Sequence, residues 1–371
     1  MRSVTHAIIA TVLLCLGILG YTYRMQNLDR VLRGINDFLP RYAQARMIGS
    51  SQVYEIEAGY REQERAAGTH MLGAYNDRLP WQALFMAPLG WLPYLTAYWI
   101  WIGLNLACFA GLVYIWLLPR DYVLWGVVFL PVAASIVLGQ EGVMLALCLA
   151  AVVRCAETRR DLAAGFLLAL CTAKPHLFLL VPVVLIARRR WRIVGSAVAG
   201  TVGLLAIGTA AAGVDWPLHW LAVLKTLSRE SDPGHGLARC PSLFQFGMNG
   251  VTFALALTVA AVFGALIWRS RTLEAGIAIA VIGGILIAPH TAVYDLPLLL
   301  VALPVLPLAG WTRWIRIGLL TPLPYWALLR AAPWNAVLPV MLLAAVMASG
   351  WPRAGRPATL AAAVAADAPA V

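Results

Sequence analysis

Apolar runs approaching 20 residues recur along this sequence, and short clusters of arginine separate many of them. A helix needs roughly 20 mostly apolar residues to cross about 30 Å of hydrocarbon. Within lipid each backbone N–H and C=O must be paired inside the protein, which leaves helices for runs of this kind. The runs predict about twelve transmembrane helices, near residues 6–23, 95–118, 122–138, 141–154, 162–173, 175–188, 193–212, 250–268, 273–289, 293–309, 314–330 and 334–350. The expected fold class is an all-α polytopic membrane protein, with one integral membrane domain over residues 1–352. Of the 371 residues 61% are hydrophobic and 12% charged, against about 25% charged in soluble domains, which excludes a soluble enzyme. The first run follows Arg2 as a signal peptide would, but no small-residue cleavage site precedes Tyr21, so an uncleaved anchor is expected.

The formal net charge is +11, which in a soluble chain would point to nucleic acid. Here the bases sit in clusters such as Arg188-Arg189-Arg190-Trp191-Arg192, between apolar runs. Such clusters mark cytoplasmic loops, so membrane lipids and not nucleic acid are the expected partners. With the N-terminus inside, 15 of the 28 Lys and Arg and five of the 17 Asp and Glu fall on the cytoplasmic side. The inside then carries about +10 and the outside about +1. This predicts a multi-pass protein of the cytoplasmic (inner) membrane with both termini in the cytoplasm. Five of the six cysteines lie in or beside apolar runs and only Cys240 lies in a polar loop, so no disulfide framework or metal-ligand spacing is present. Neither a metal nor a cofactor is expected.

Two segments on the outer side, 24–80 and 213–249, exceed the length of ordinary connections, and loops of that size are commonly functional. In the first, Phe38, Tyr42, Met47 and Ile48 recur at roughly helical spacing, which predicts a helix lying flat on the interface. Trp81, Phe85, Met86, Leu89 and Trp91 predict a second interfacial helix, unless Trp81 begins a long span. Residues 353–371 are Ala-rich and read as a disordered cytoplasmic tail.

Ionisable residues at membrane depth cost about 2.5–3.5 kcal/mol each at a helix centre and are functional candidates by default. Glu141, Lys174, His176, His290 and Asp295 each fall at the outer end of a predicted span. Asp37, Arg78, His235, Arg239 and Ser242 lie in the outer loops. One outward-facing aqueous pocket could collect them all. Structural readings compete: Asp37 could cap the helix after it, and Lys174 could snorkel to the interface. Against these, Pro175 and Pro289 break their helices beside Lys174, His176, His290 and Tyr294. A transporter or lipid flippase is the competing class, but it would carry polar residues along a path to both sides and matched broken helices.

These residues also carry a resemblance. Asp37-Phe38 with Tyr42, the stretch Gly49 to Tyr54, Ala87-Pro88-Leu89 with Leu92-Pro93, Trp101 and Asn105, Leu138-Gly139-Gln140, Ala173-Lys174-Pro175 followed by Arg190-Trp191, and Ala288-Pro289-His290 follow one another in an order that resembles glycosyltransferase family 87. That family comprises polyprenyl-phosphate-mannose-dependent enzymes of the GT-C fold. The resemblance implies a GT-C-like fold and inverting transfer of a sugar, mannose first, from a polyprenyl-phosphate donor to a hydroxyl of a lipid or glycan acceptor at the extracytoplasmic face. An arabinofuranosyl or glucosyl donor is the alternative within the class. It implies Asp37 as general base and His290, Lys174, His176, Arg78 and Arg239 around the donor phosphate. Tyr42, Gln140, Glu141, Tyr294 and Asp295 would meet sugar or acceptor. The chain departs from the family pattern at Arg78-Leu79-Pro80-Trp81, where an aromatic-Pro-Pro motif is common, at Gly142 where Asn is common, and at Ala288 where Ser is common.

Overall fold

Alanine, leucine and valine fill the runs, and proline or glycine punctuates them, so the chain forms helices with abrupt ends. The computed structural model describes residues 31–71, 75–230, 240–306, 308, 312–328, 330 and 333–350. The expected anchor at 6–23, the Ala-rich tail, His235 and Arg239 lie outside the described residues. Within them every regular element is helical. Residues 31–90 give α1 (Phe38–Met47), α2 (Ile56–Ala67) and α3 (Pro80–Gly90). There follow α4 (Tyr94–Leu112), α5 (Val123–Val128), α6 (Leu130–Val137), α7 (Gly142–Glu157), α8 (Asp161–Leu170), α9 (Val181–Ala187) and α10 (Trp191–Ala212). After α11 (Trp216–Glu230) come α12 (Gly250–Arg269), α13 (Leu273–Ile287), α14 (Leu299–Ala302), α15 (Arg313–Leu320), α16 (Leu323–Leu328) and α17 (Val337–Gly350).

Three of these stretches are long and apolar enough to cross a membrane: Tyr94–Arg120, Trp191–Ala212 and Gly250–Arg269. The pair α6 and α7, bent by 119° at the break between them, makes a fourth if it is one span. The expected count of about twelve is therefore not reached among the described residues. Breaks divide the other apolar runs. Pro131 opens α6, Pro175 and Pro182 divide the run at 175–188, and Pro322 and Pro324 divide α15 from α16. Proline cannot donate to the helix ladder and restricts the residue before it. At 1.5 Å per residue, α13 with its 15 residues covers only about 22 Å.

The breaks gather at one end of the bundle. There α7 begins after Glu141, α8 gives way to the turn at Cys171–Ala173 before Lys174, and α13 ends before His290. At the opposite end Arg120 pairs with Glu274, Arg190 lies 3.6 Å from Asp161, and Arg188 donates to Ser270 Oγ at 2.7 Å. Helices α7, α8 and α10 and the stretch from Pro175 to Ala187 each lead from one end to the other, so the arginine clusters and the ionisable candidates come to lie at opposite ends.

The first long segment differs from its expected form. Helix α1 exists, but it does not lie on a surface with one apolar side down, because Phe38 through Ala45 are all buried, Arg41 and Gln44 included. Phe38 sits among Tyr42, Tyr94, Tyr98 and Trp101, with ring centroids 5.6–6.1 Å away, and such aromatic pairs contribute about 0.5–1.5 kcal/mol beyond burial. This cluster fixes α1 against α4 and turns its polar face toward the break before α7. Helix α3 is separated from α4 by the break at Pro93 and leaves Phe85 and the following Trp91 exposed. Helices α2 and α11 form inside the two long segments expected as loops, and both carry an apolar side at helical spacing.

Candidate active site

Asp37 precedes α1 but does not cap it. Asn36 Oδ1 instead accepts from the backbone N–H groups of Phe38 at 2.9 Å and Leu39 at 3.2 Å. That substitution of caps leaves the Asp37 carboxylate free to face away from its helix, half-buried, where Oδ2 accepts from Gln140 Nε2 at 2.6 Å. Gln140 is held from the other side, since its Oε1 accepts from Arg41 and from Lys174 Nζ, the latter at 3.1 Å. One amide thereby joins a carboxylate to two cations.

Gly139 makes this possible. It adopts a φ of +70°, and a Cβ there would come within 2.5 Å of Phe38 Cβ, so the turn before Gln140 can pack on α1 only as glycine. Its carbonyl accepts from Arg41 at 2.8 Å and from Trp101 Nε1 at 2.9 Å. Gly142 has a related role. A Cβ at that position would lie 2.0 Å from the Tyr294 carbonyl oxygen, so the glycine lets the 293–298 turn approach α7. This gives a physical reason for the departure from Asn there.

That turn delivers Asp295, which is 1% exposed and pairs with Lys174, itself 3% exposed. Asp295 Oδ2 also accepts from the Ala292 N–H at 2.9 Å, and the Lys174 ammonium lies 4.9 Å from the Tyr294 ring centroid. Glu141 pairs with Arg41, and its Oε1 lies 3.4 Å from Arg78 and 3.5 Å from Lys174 without a direct hydrogen bond. Arg78 retains 19% side-chain exposure, where Lys174 and Arg41 retain 4%. Arg78 is therefore the cation with a face left for a ligand, and Lys174 is enclosed.

The two long segments between apolar runs meet at Arg78. Gln44 exchanges two hydrogen bonds with its backbone, Tyr54 OH donates to its carbonyl at 2.8 Å, and Trp220 of α11 donates to the Asp77 carbonyl at 2.7 Å. Burial alone would lower the Arg78 pKa, but the Asp77 and Glu141 carboxylates outweigh it and raise it. Burial, followed by the nearby Arg78 cation, lowers the pKa of Arg41 against the pull of Glu141 and Asp37.

His290 reaches solvent, yet the protein walls around it desolvate it. With Lys174 and Arg78 adding repulsion against the pull of Asp295 and Asp77, its pKa falls below the ordinary value. It is therefore a neutral hydrogen-bonding group near pH 7, not the ready-made cation expected from the sequence. Neighbouring buried polar atoms lack partners among the described residues: His176 Nε2, Ser242 Oγ, Thr291 Oγ1 and both amide atoms of Gln245. Buried polar groups are normally hydrogen-bonded, and these are of the kind that sugar hydroxyls or water satisfy.

Of the sequence candidates, Asp37, Arg78, Gln140, Glu141, Lys174, Tyr294 and Asp295 form one network, with His176 and His290 beside it. Tyr42 does not join them: it is 1% exposed in the aromatic cluster, and its hydroxyl donates to the Leu92 carbonyl at 2.6 Å. Arg41 was not anticipated, although its position four residues after Asp37 places it one helical turn on.

The model of glycosyltransferase family 87 matches residues 80–293, more than half of the chain. The chain belongs to glycosyltransferase family 87. It is thus a glycosyltransferase with the apolar helices of a membrane protein. The matched span holds Gln140, Glu141, Lys174, His176 and His290, while Arg78 and Asp295 lie two residues beyond either edge and Asp37 lies well before it. No curated protein and no solved structure matches the chain.

Proposed function

We propose that this family-87 glycosyltransferase moves mannose from a polyprenyl-phosphate donor to a hydroxyl of a lipid or glycan acceptor at the extracytoplasmic face of the cytoplasmic membrane, with inversion. The reading rests on one observation above others: a half-buried carboxylate, Asp37, released from capping and set at the same end of the bundle as Arg78, Lys174 and His290. The acceptor hydroxyl gives its proton to Asp37 as its oxygen bonds to the sugar's anomeric carbon. The bond from that carbon to the phosphate oxygen breaks on the opposite face, and polyprenyl phosphate leaves with the bonding pair. A β-linked donor gives an α-linked product. General-base assistance of this kind is typically worth 10²–10⁴-fold.

Charge grows on the phosphate as it leaves, and fixed donors stabilise it better than water that must reorient. Arg78 supplies the cation, with a guanidinium suited to two phosphate oxygens, and His290 supplies a neutral N–H. Lys174, locked between Asp295 and Gln140, keeps the network in register. Gln245, Ser242, Thr291 and His176 offer the unpartnered polar atoms that sugar hydroxyls would meet. The donor's chain lies alongside the apolar helices, so a lipid carrier suits the site better than a nucleotide.

The test is incubation of purified protein with polyprenyl-phosphate mannose, glucose and arabinofuranose and with nucleotide sugars, followed by identification of the labelled product. Transfer from the lipid-linked mannose supports the reading. Preference for another lipid-linked sugar corrects the sugar, and exclusive use of a nucleotide sugar overturns the lipid donor.

A further inference from the structure

At the opposite end from Asp37 the structure contains a cavity of about 620 Å³ that the glycosyl-transfer chemistry does not use. Arg188, Arg189, Arg190, Arg192 and Arg271 line it, with Asp161 as the single acid. The acid lies 3.6 Å from Arg190, an ion pair without a direct hydrogen bond, and leaves four of the five arginines without a carboxylate at the cavity. Arg188 spends one nitrogen on Ser270 Oγ at 2.7 Å and leaves a buried Nε without a partner. Arg189 is held at a φ of +53°, a left-handed backbone that side chains other than glycine rarely adopt. It and Arg192 are exposed. Solvated arginines on a plain surface would spread apart; here a tight turn between α9 and α10 and the loop between α12 and α13 bring five around one hollow.

The surroundings say which anion fits. Trp191 at the start of α10 and Trp268 at the end of α12 are 60% and 63% exposed. Both terminate helices that can cross a membrane, and tryptophans in that position mark the headgroup level. Leu162 and Ile186, at 64% and 44% exposure, continue the apolar surface beside the cavity. The cavity thus has a cationic floor and opens next to surface suited to acyl chains. Arginine forks pair with phosphate oxygens two at a time, and basic pockets between transmembrane helices accept anionic headgroups.

We propose that this cavity is a binding site for the phosphate headgroup of an anionic phospholipid, remote from the catalytic end. Its chemistry is shared with free phosphate, and the experiment separates the two. The intact protein, purified in a neutral detergent, is titrated with dioleoylphosphatidylglycerol, dioleoylphosphatidylcholine or inorganic phosphate while its thermal unfolding is followed. Ligand that binds only the folded state raises the unfolding temperature. The phosphatidylglycerol midpoint should rise about tenfold in Arg189→Gln/Arg192→Gln, whose side chains are exposed. It should stay near wild type in Arg159→Gln, an arginine of the same end that does not line the cavity. Phosphatidylcholine should have no comparable effect. Equal responses of the two variants would reduce the site to general surface attraction, and full stabilisation by inorganic phosphate alone would assign the cavity to a free anion; either result overturns the proposal. Because the readout is unfolding, it does not depend on the donor assigned above.

Discussion

At one end of the bundle Arg41, Arg78 and Lys174 face Asp37, Asp77, Glu141 and Asp295, with Gln140 threaded between them. At the other end Arg188 to Arg192 and Arg271 surround a cavity that holds Asp161 alone. The first set is crowded, mostly buried and close to balanced, with three cations to four carboxylates. The second is half-open and cationic. The difference follows from what each end must do with ions in a weakly polar setting. Buried charges persist only when paired and hydrogen-bonded, and a paired network holds its groups in one geometry. Arginines left unmatched at an interface keep their capacity to take an anion from outside.

Separating a buried pair should break the first end most severely. Asp295→Ala takes away the nearest counter-ion of Lys174 and leaves it Glu141 at 3.5 Å without a hydrogen bond, and loss of one partner of a buried pair costs about 3–5 kcal/mol. Thermal unfolding in detergent should show a large drop, where Glu274→Ala, which frees the partly exposed Arg120 at the other end, should show a much smaller one. Equal drops would remove the contrast between the ends. Gly142→Ala sharpens the same point, because its Cβ would meet the Tyr294 carbonyl and displace the turn carrying Asp295. Overpacking of this sort costs about 1–3 kcal/mol, readable in the same assay.

Kinetics sharpen it further. Gln140→Leu removes the link from Asp37 to Arg41 and Lys174 and should lower kcat about tenfold or more, with a smaller change in donor KM. Arg78→Gln should raise donor KM and lower kcat together, because a phosphate contact acts on both bound donor and transition state. A kcat unchanged by Gln140→Leu would leave the amide a packing group.

The smallest effect is one of pH. The folded His290 has a pKa below its unfolded value of about 6.5, so the unfolded chain takes up its proton first as pH falls. Its contribution to stability is therefore complete above about pH 6.5 and declines as pH falls through and below that value. Going from pH 7.5 into acid should lower the unfolding temperature of wild type more than that of His290→Gln. A smaller loss in wild type would mean that His290 is charged in the folded protein.

Much of this arrangement was legible in the sequence. Arg clusters and intramembrane ionisable residues each announced themselves against apolar runs, and the structure separates them to opposite ends. The span count was not legible, because hydropathy measures the length of a run and not the proline that divides it. The burial of α1 was hidden for a different reason: Arg41 and Gln44 read as solvent-facing, yet they bury their polar ends against Gly139, Gln140 and the backbone of Arg78. Tyr42 shows the converse error. Its place beside the Asp37 motif suggested substrate, but its helical turn points it into the aromatic cluster that supports the site.

The role of Asp37 is open to one direct measurement: the rate of sugar transfer from a polyprenyl-phosphate donor by wild type and by Asp37→Asn, each checked for an unchanged unfolding temperature. The amide keeps the size of the carboxylate and a hydrogen bond to Gln140 but cannot take a proton. The account predicts a rate at least 10²-fold lower with the fold intact; transfer by Asp37→Asn at the wild-type rate would contradict it.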